Sequence, residues 1–213
     1  KNAALYRVAD LLVDREAAIL KANEIDLAAG RETGLTEFFL ERLTLTPARI
    51  HGMVADTRHV AALPDPVGET ISARDLPNGL QVARRRVPLG VIASVYESRP
   101  NVTIDIATLC VKSGNAAVLR GGKEAVHSNS ILGDVLCDAL SGSDLPVGAV
   151  QVVRDPDRSH VDELLRMHDL VDLMVPRGGG GLIEYVRETA TMPVVAGGVG
   201  VCHTYVDADA NLG

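Results

Sequence analysis

The amino-acid sequence predicts an α/β protein built around a doubly wound parallel sheet with helices on both faces. Segments of almost continuous apolar character alternate with segments of helical periodicity, and the links between them are short. This order is typical of βαβ units with right-handed crossovers. The 213 residues are 46% hydrophobic, which supports a sizeable core and argues against disorder. We expect three parts, at residues 1–66, 67–87 and 88–213.

Charge and composition narrow the class of partner. The chain carries 21 basic and 28 acidic side chains, a formal net charge of −7, which argues against a general nucleic-acid binder. No apolar run approaches the roughly 20 residues of a membrane helix, and the first residues lack the apolar segment of a signal peptide. Three widely separated cysteines make neither a disulfide framework nor a metal site. We therefore expect a cytoplasmic protein that uses no metal, nucleic acid or membrane, although Lys1 need not be its natural start.

Residues 1–66 have the pattern of packing helices. Apolar residues recur at helical spacing, with charges between them. Thr46-Pro47 is typical of an N-cap followed by a first-turn proline, and Pro64 and Pro66 end the pattern. No residue of this region points to chemistry.

Residues 67–87 are predicted to form a β-hairpin. Pro77-Asn78-Gly79 is a turn signal between Ile71 and the alternating run Leu80-Gln81-Val82. The run Arg84-Arg85-Arg86 allows two interpretations. The first interpretation is an anion-binding site. The second is a solvated strand or an oligomer contact, and we prefer this second interpretation.

From residue 88 onward, strands and helices alternate. Strand 91–96 is nearly all apolar, as expected of a strand covered on both faces. Further strands are predicted at 117–119, 150–153, 170–175, 194–195 and 203–206. Helices are predicted from Pro100-Asn101 to a stop at Gly114-Asn115, over 124–140, after a cap at Asp155-Pro156-Asp157, and over 182–191.

Ligands of such a sheet bind beyond the carboxyl ends of its strands, where the sequence places four turns. The first turn, Arg120-Gly121-Gly122-Lys123, has two glycines that allow close approach and two cations that frame them. An NAD site usually offers an acidic residue to the ribose 2′-hydroxyl, whereas an NADP site offers basic residues to the 2′-phosphate. Arg120 and Lys123 therefore favour NADP(H), and the alternative is a basic surface turn.

The second turn, Pro176-Arg177-Gly178-Gly179-Gly180-Gly181, lies between a predicted strand and the helix from Leu182. Free N–H groups at a helix start attract phosphate, so phosphate or substrate binding is favoured over a flexible loop. The turn is neither a Walker loop nor a G-x-G-x-x-G fingerprint.

The third turn, Gly197-Gly198-Val199-Gly200, allows either a tight crossing or a backbone that faces a ligand.

The fourth turn, Tyr96-Glu97-Ser98-Arg99-Pro100-Asn101, brings polar groups to a strand-to-helix junction. We assign Glu97, Arg99 and Asn101 to substrate binding. Arg99 can hold a carboxylate through two hydrogen bonds. Asn101 can either cap the following helix or donate to a developing oxyanion.

The cysteines offer no convincing nucleophile. Cys110 and Cys137 lie on apolar faces of predicted helices and are expected to be buried structural thiols. Cys202 is adjacent to His203, but neighbouring strand residues point to opposite faces. The remaining histidines show no metal-ligand spacing.

At these motifs the sequence resembles the gamma-glutamyl phosphate reductase family, also called glutamate-5-semialdehyde dehydrogenase, of the aldehyde dehydrogenase superfamily. The resemblance covers essentially the whole chain. The motifs that carry it lie at 43–49, 84–92, 96–103, 113–115, 119–124, 176–182 and 197–203. It implies an aldehyde-dehydrogenase-like fold, in which residues 88–213 form a Rossmann-like NADP-binding domain.

The resemblance implies NADPH-dependent reduction of L-glutamyl 5-phosphate to L-glutamate 5-semialdehyde with release of phosphate, the second step of proline biosynthesis. In the family a cysteine thiolate displaces the phosphate, and the resulting thioester accepts hydride. By position, Arg120 and Lys123 match the motif that grips the adenosine ribose. Many NAD-using relatives have Glu where Lys123 stands. The stretch from Arg177 to Gly181 matches the turn near the pyrophosphate, and Gly197 and Gly198 match a glycine pair at the nicotinamide pocket.

The resemblance also bears on partners and on catalysis. It implies a homo-oligomer, in which the hairpin is an intersubunit arm, and a functional link to glutamate 5-kinase. Val195 stands where oxidising relatives have the Glu that activates the deacylating water, which suits a reductase. The family's Ser-Thr-Cys-Asn-type segment occurs nowhere in the chain. We therefore expect the nucleophilic cysteine beyond Gly213, no catalytic residue within this chain except Asn101 as an oxyanion candidate, and no turnover by the chain alone.

Two alternatives stay open. The first is a non-catalytic, truncated protein that binds nucleotide or another protein. The second is another superfamily member, such as a CoA-acylating aldehyde dehydrogenase, and the motif from Glu97 to Thr103 argues against it.

Overall fold

The structure is a computed structural model that describes residues 1–197 and 203–210. Its first part consists of helices, as the sequence predicts. Thr46 caps the last of them, because its Oγ1 accepts a hydrogen bond from the N–H of Arg49 at 3.2 Å and Pro47 occupies the first turn. The four helices are α1 (Asn2–Asp14), α2 (Glu16–Glu32), α3 (Glu37–Leu43) and α4 (Pro47–Ala62).

An antiparallel hairpin follows, formed by β1 (Thr70–Asp75) and β2 (Gln81–Arg85). Gly79 in its turn has a φ of +83°, a left-handed conformation that suits glycine. Both strands are exposed along nearly their whole length. The predicted hairpin is confirmed, and its role as an intersubunit arm stays a prediction.

The rest of the described chain is built on a four-stranded parallel sheet of order β5-β4-β3-β6. Counted from β3, this is the order 3-2-1-4 found in Rossmann-like sheets. The strands are β3 (Val91–Tyr96), β4 (Ala116–Gly121), β5 (Val150–Val152) and β6 (Leu173–Met174). The helices are α5 (Asn101–Lys112), α6 (Val126–Ser141), α7 (Ser159–Leu164) and α8 (Gly180–Thr189).

Side chains of β3 alternate between two cores, one on each face of the sheet. Ile92 and Tyr96 join a core with residues of β4, α1, α4, α5 and α6. Ala93 and Val95 join a second core with residues of β6, α7 and α8. Helices therefore cover both faces, and the predicted fold class is confirmed. Because α1 and α4 pack on α5 and α6, the N-terminal helices share a core with the sheet.

Four predicted strands are shorter than expected or absent, and the one predicted over 150–153 lacks only its last residue. The strand predicted over 170–175 is reduced to β6, because hydrogen bonds to the carbonyl of Met167 close a turn just before it. Residues 194–195 make one isolated bridge to β6 and no strand. Residues 203–206 have no regular structure, and Tyr205 is 85% exposed. A strand needs a neighbour to which its backbone bonds over several residues. Residues 194–195 have only the bridge to β6, and no strand of the described residues pairs with 203–206.

Three helix starts also differ from the prediction. The helix predicted over 124–140 begins at Val126, because a 3-10 turn occupies Lys123–Ala125. The last helix begins at Gly180, two residues before Leu182, because glycine is well tolerated at an N-cap and in a first turn that needs no intrahelical donors. The helix after β5 begins at Ser159, and Asp157 contributes by accepting a hydrogen bond from its N–H at 2.8 Å. None of the helices in the described residues is long and apolar enough to cross a membrane.

Candidate functional site

The strand order of the sheet reverses beside β3, since β4 and β5 extend it to one side and β6 to the other. In doubly wound sheets, ligands bind at such a switch point, beyond the carboxyl ends of the strands. Three adjoining cavities begin at this edge. We name them the β4 cavity, of about 340 Å³, the α8 cavity, of about 220 Å³, and the α4–α5 cavity, of about 600 Å³.

The β4 cavity contains the predicted basic turn. Arg120 is 8% exposed, and its Nη2 donates to the carbonyl of Pro156 at 2.7 Å, which ties the end of β4 to the loop after β5. Its Nε has no hydrogen-bond partner among the described residues. Burial lowers the pKa of Arg120, so a nearby anion would stabilise its charged form. The charged and aromatic lining of the cavity consists of Tyr96, Glu97, Arg120, Lys123, Glu124, Arg158 and Tyr185.

Glu124 holds the turn after β4 in place. Its Oε1 accepts hydrogen bonds from the N–H of Ser98 at 2.6 Å and from the Ser98 hydroxyl at 2.9 Å. Ser98 has a φ of +45°, a left-handed conformation that costs a non-glycine residue about 1–2 kcal/mol, and these bonds stabilise it. The same carboxylate lies over Gly122, where a Cβ would collide with both of its oxygens. Lys123 remains exposed at the rim of the cavity.

The N-terminus of α8 opens between the β4 cavity and the α8 cavity. The N–H groups of Gly180, Gly181 and Leu182 have no intrahelical partner. A Cβ built on either of these glycines would meet nothing within 4 Å, so the space beside them is free. The N–H of Gly179 is already used, because it donates to Oε2 of Glu97 at 3.0 Å. Glu97 lines both cavities, and within the described residues its side chain accepts a hydrogen bond only from this N–H.

The other residues of the predicted glycine turn line the α8 cavity. Arg177 pairs with the end of β3 through its backbone, accepting from the N–H of Glu97 at 3.1 Å. Gly197 lies at the same cavity. Gly198, and with it the rest of the third turn and Cys202, lies outside the described residues. The second and third predicted turns line the cavity with Pro176, Arg177, Gly178, Gly179 and Gly197.

The third cavity receives Arg99 and Asn101. Asn101 is the first residue of α5, whose N-cap is Pro100, and its Nδ2 donates to Oδ2 of Asp105 at 2.9 Å. The interpretation of Asn101 as the helix cap is therefore wrong, because its amide reaches forward along α5 instead of back to the first turn. The polar lining of the α4–α5 cavity includes Arg42, Arg49, Asp56, Arg99, Asn101 and Asp105.

The two described cysteines lie away from these cavities. Cys110 is buried as predicted, and burial raises the pKa of its thiol to about 11, which disfavours the reactive thiolate. The prediction that Cys137 is buried is wrong, because it is only partly buried and lies near Arg154. In the described ranges, no three side chains of the His, Cys, Asp or Glu type come together as a metal site would require.

Five cations of this edge have no carboxylate partner within the described residues. Some cations elsewhere do have one, since carboxylates pair with Arg15, Arg58, Arg86 and Arg154. Within the part of the chain that the structure describes, no ion pair joins a carboxylate to Arg99, Arg120, Lys123, Arg158 or Arg177. A row of cations without carboxylate partners suits an anionic ligand.

Sequence reasoning missed the residue that anchors the helix after the basic turn. Asp26 of α2 is 2% exposed, and its Oδ2 accepts from the N–H of Ser128 at 2.8 Å and from the hydroxyl at 2.6 Å. Its Oδ1 accepts from the N–H of His127 at 3.1 Å. Asp26 thus caps α6 from another helix. No local pattern could reveal this cap, since 101 residues separate its partners along the chain.

Comparison with known proteins agrees with the motifs. No protein-family model matches the chain. The gamma-glutamyl phosphate reductase of Roseiflexus castenholzii is 53% identical to it over 214 residues, which cover 100% of this chain and 51% of that protein. The resemblance to the gamma-glutamyl phosphate reductase family is confirmed. The chain spans about half the length of the curated relatives it matches.

Solved structures agree with this result. The gamma-glutamyl phosphate reductase of Thermotoga maritima superposes with a TM-score of 0.91 at 43% identity, over 93% of this chain and 48% of that one. An NAD-dependent benzaldehyde dehydrogenase of Corynebacterium glutamicum superposes with a TM-score of 0.70 at 21% identity, over 92% of this chain and 40% of that one. The second comparison shows the fold alone, and this is the aldehyde dehydrogenase fold.

Proposed function

We propose that this chain forms the cofactor-binding part of a gamma-glutamyl phosphate reductase and that it binds NADPH in the β4 cavity. The reaction of the whole protein would be the reduction of L-glutamyl 5-phosphate to L-glutamate 5-semialdehyde with release of phosphate, within proline biosynthesis. The relatives that carry this name align with the entire chain, which supports the proposal.

One observation carries the choice of cofactor. Arg120, Lys123 and Arg158 line the β4 cavity without a carboxylate partner among the described residues, beside the free N–H groups of α8. A dinucleotide with an additional 2′-phosphate needs both a helix N-terminus for its pyrophosphate and basic side chains for its ribose phosphate. The donor set therefore fits NADPH better than NADH.

The residues have distinct roles in this proposal. Arg120, Gly121, Gly122 and Lys123 hold the adenosine ribose and its 2′-phosphate, and the stretch from Arg177 to Gly181 holds the pyrophosphate. Gly197 and Gly198 are assigned to the nicotinamide pocket, as the resemblance implies. When bound, NADPH supplies hydride. Glu97, lying between the β4 and α8 cavities, and Arg99 and Asn101 in the α4–α5 cavity are assigned to the substrate.

The remaining parts of the proposal concern the whole protein. The sequence contains no Ser-Thr-Cys-Asn-type segment, so catalysis requires residues other than these 213, and we expect no turnover by this chain alone. A homo-oligomer built on the hairpin, a functional link to glutamate 5-kinase and a cytoplasmic location belong to the same proposal.

The test is a titration of the 213-residue chain with NADPH and with NADH, followed by the fluorescence of the reduced nicotinamide. We expect NADPH to bind at least about tenfold more tightly, which corresponds to one or more favourable contacts with the 2′-phosphate. Equal affinities would contradict the choice of cofactor. Failure of both nucleotides to bind would contradict the proposal that this chain forms the cofactor site.

A further inference from the structure

The α4–α5 cavity is built differently from the β4 cavity. It lies between α3, α4 and the first turns of α5, and it carries charges of both signs. The α8 cavity connects the two, since it shares Glu97 with the β4 cavity and shares Arg42 and Arg99 with the α4–α5 cavity. A molecule in the α4–α5 cavity would therefore reach the N-terminus of α8 from the side opposite the β4 cavity.

The basic groups of the α4–α5 cavity are engaged to different extents, and Arg99 is the least engaged of them. Arg49 forms an ion pair with Glu41 and donates to the carbonyl of Thr44 at 2.7 Å. Arg42 lies over the ring of Phe38, 3.8 Å from its centroid. Arg99 has neither an ion pair nor a hydrogen-bonded side chain among the described residues. Burial lowers its pKa and the neighbouring arginines lower it further, so an anion beside Arg99 would relieve an unfavourable charge.

Two acidic side chains of the α4–α5 cavity also lack an oppositely charged partner among the described residues. Asp56 and Asp105 face the same cavity, and neither forms an ion pair with a cation in the described residues. Asp105 accepts one hydrogen bond, from Asn101. Burial raises the pKa of Asp105, and Asp56 adds to the shift, so a cation between the two carboxylates would be stabilised.

We propose that the α4–α5 cavity binds the free amino-acid end of the substrate, with Arg99 on its α-carboxylate and with Asp105 and Asp56 on its α-ammonium group. The inference rests on the proposed function, because it takes the substrate to be a glutamyl compound. The side chain of that amino acid would then extend past Arg99 into the α8 cavity. Substrate and nucleotide would thus approach the α8 N-terminus from opposite sides, and Asp56, in a region predicted only to form packing helices, would take part in amino-acid recognition.

Three small probes separate the two charged contacts, each titrated into the 213-residue chain by calorimetry. L-Glutamate carries both groups, glutarate lacks the ammonium group, and 4-aminobutyrate lacks the α-carboxylate. The variants are Asp105→Asn and Arg99→Gln. Their charge-matched controls, Asp14→Asn and Arg187→Gln, change exposed residues outside the three cavities.

We expect Asp105→Asn to weaken L-glutamate binding about fivefold or more while glutarate binding stays unchanged. We expect Arg99→Gln to weaken L-glutamate binding by at least as much while 4-aminobutyrate binding stays unchanged, and Arg99→Lys to restore part of the affinity. Both control variants should bind L-glutamate like the original chain. Absence of saturable L-glutamate binding, or an equal loss for all three probes in either variant, would overturn the inference.

The NADPH titration keeps this inference separate from the proposed function. Tight NADPH binding together with no L-glutamate binding would overturn the amino-acid site alone. Glutamate binding with the expected dependence on Asp105 and Arg99 but no NADPH binding would support the amino-acid site and contradict the cofactor site.

Discussion

Helices α6 and α8 both begin near the carboxyl edge of the sheet, but their N-termini are occupied in different ways. At α6, Asp26 accepts hydrogen bonds from the N–H groups of His127 and Ser128 and is itself buried. At α8, Glu97 takes only the N–H of Gly179 and leaves the first turn open.

The difference separates a helix end that stabilises the fold from one that can bind a ligand. The α6 end has its donors filled by a buried carboxylate of α2, so no anion from solvent can use them. The α8 end has a positive potential, free donors and open space beside Gly180 and Gly181. Three substitutions test whether this division holds.

The largest effect is expected at the N-terminus of α6, where Asp26 occupies the backbone donors, and it concerns stability. Asp26→Ala removes four hydrogen bonds and leaves buried donors of α6 without partners. We expect a loss of about 2–4 kcal/mol in the free energy of unfolding, measured by urea denaturation. Asp26→Asn keeps one acceptor oxygen and should lose less. A loss below about 0.5 kcal/mol for Asp26→Ala would contradict the capping role.

A smaller effect, on binding rather than stability, is expected at the rim of the β4 cavity. Lys123→Glu places a carboxylate where the proposal puts the 2′-phosphate. We expect NADPH affinity to fall at least about tenfold and NADH affinity to change little, as measured by nucleotide fluorescence. The control is Lys21→Glu on α2, an exposed position that makes the same change in net charge. The assignment of Lys123 would fail if both variants lowered NADPH affinity equally.

The smallest effect is expected at the N-terminus of α8, where the first-turn N–H groups are free. Glu97→Gln keeps an oxygen that can accept from the N–H of Gly179 but removes a negative charge beside the free donors of α8. We expect stability to stay within about 0.5 kcal/mol and NADPH affinity to rise about threefold, measured by thermal unfolding and by titration. Glu184→Gln, an exposed residue of α8, should leave the affinity unchanged. Weaker NADPH binding in Glu97→Gln would show that this carboxylate supports the nucleotide.

Local sequence patterns correctly predicted the features of the fold that depend on neighbouring residues. The apolar run of β3 is reproduced at both ends, and the glycine stop after α5 is present, with Gly114 at a φ of +76°. The weakest predictions were the strands after β6, at 194–195 and 203–206. A short apolar run can satisfy strand periodicity, but its structure depends on the neighbour that bonds to it.

The sequence predicted which turns form the candidate site, but it did not predict the contacts between distant residues that hold those turns together. Glycine and charge identified the basic turn and the α8 turn from sequence. The contacts that shape them, from Asp26 to Ser128 and from Glu124 to Ser98, join residues far apart along the chain. The acidic side of the α4–α5 cavity was missed for a related reason, because Asp56 looks like an ordinary exposed helix residue until α5 places Asp105 beside it.

Amide hydrogen exchange of the 213-residue chain, resolved by residue with and without saturating NADPH, tests the central claim most directly. The account predicts slower exchange at Gly180, Gly181 and Leu182 when the nucleotide is bound, and unchanged exchange at His127 and Ser128. Unchanged exchange at the start of α8, or equal slowing at the start of α6, would contradict it.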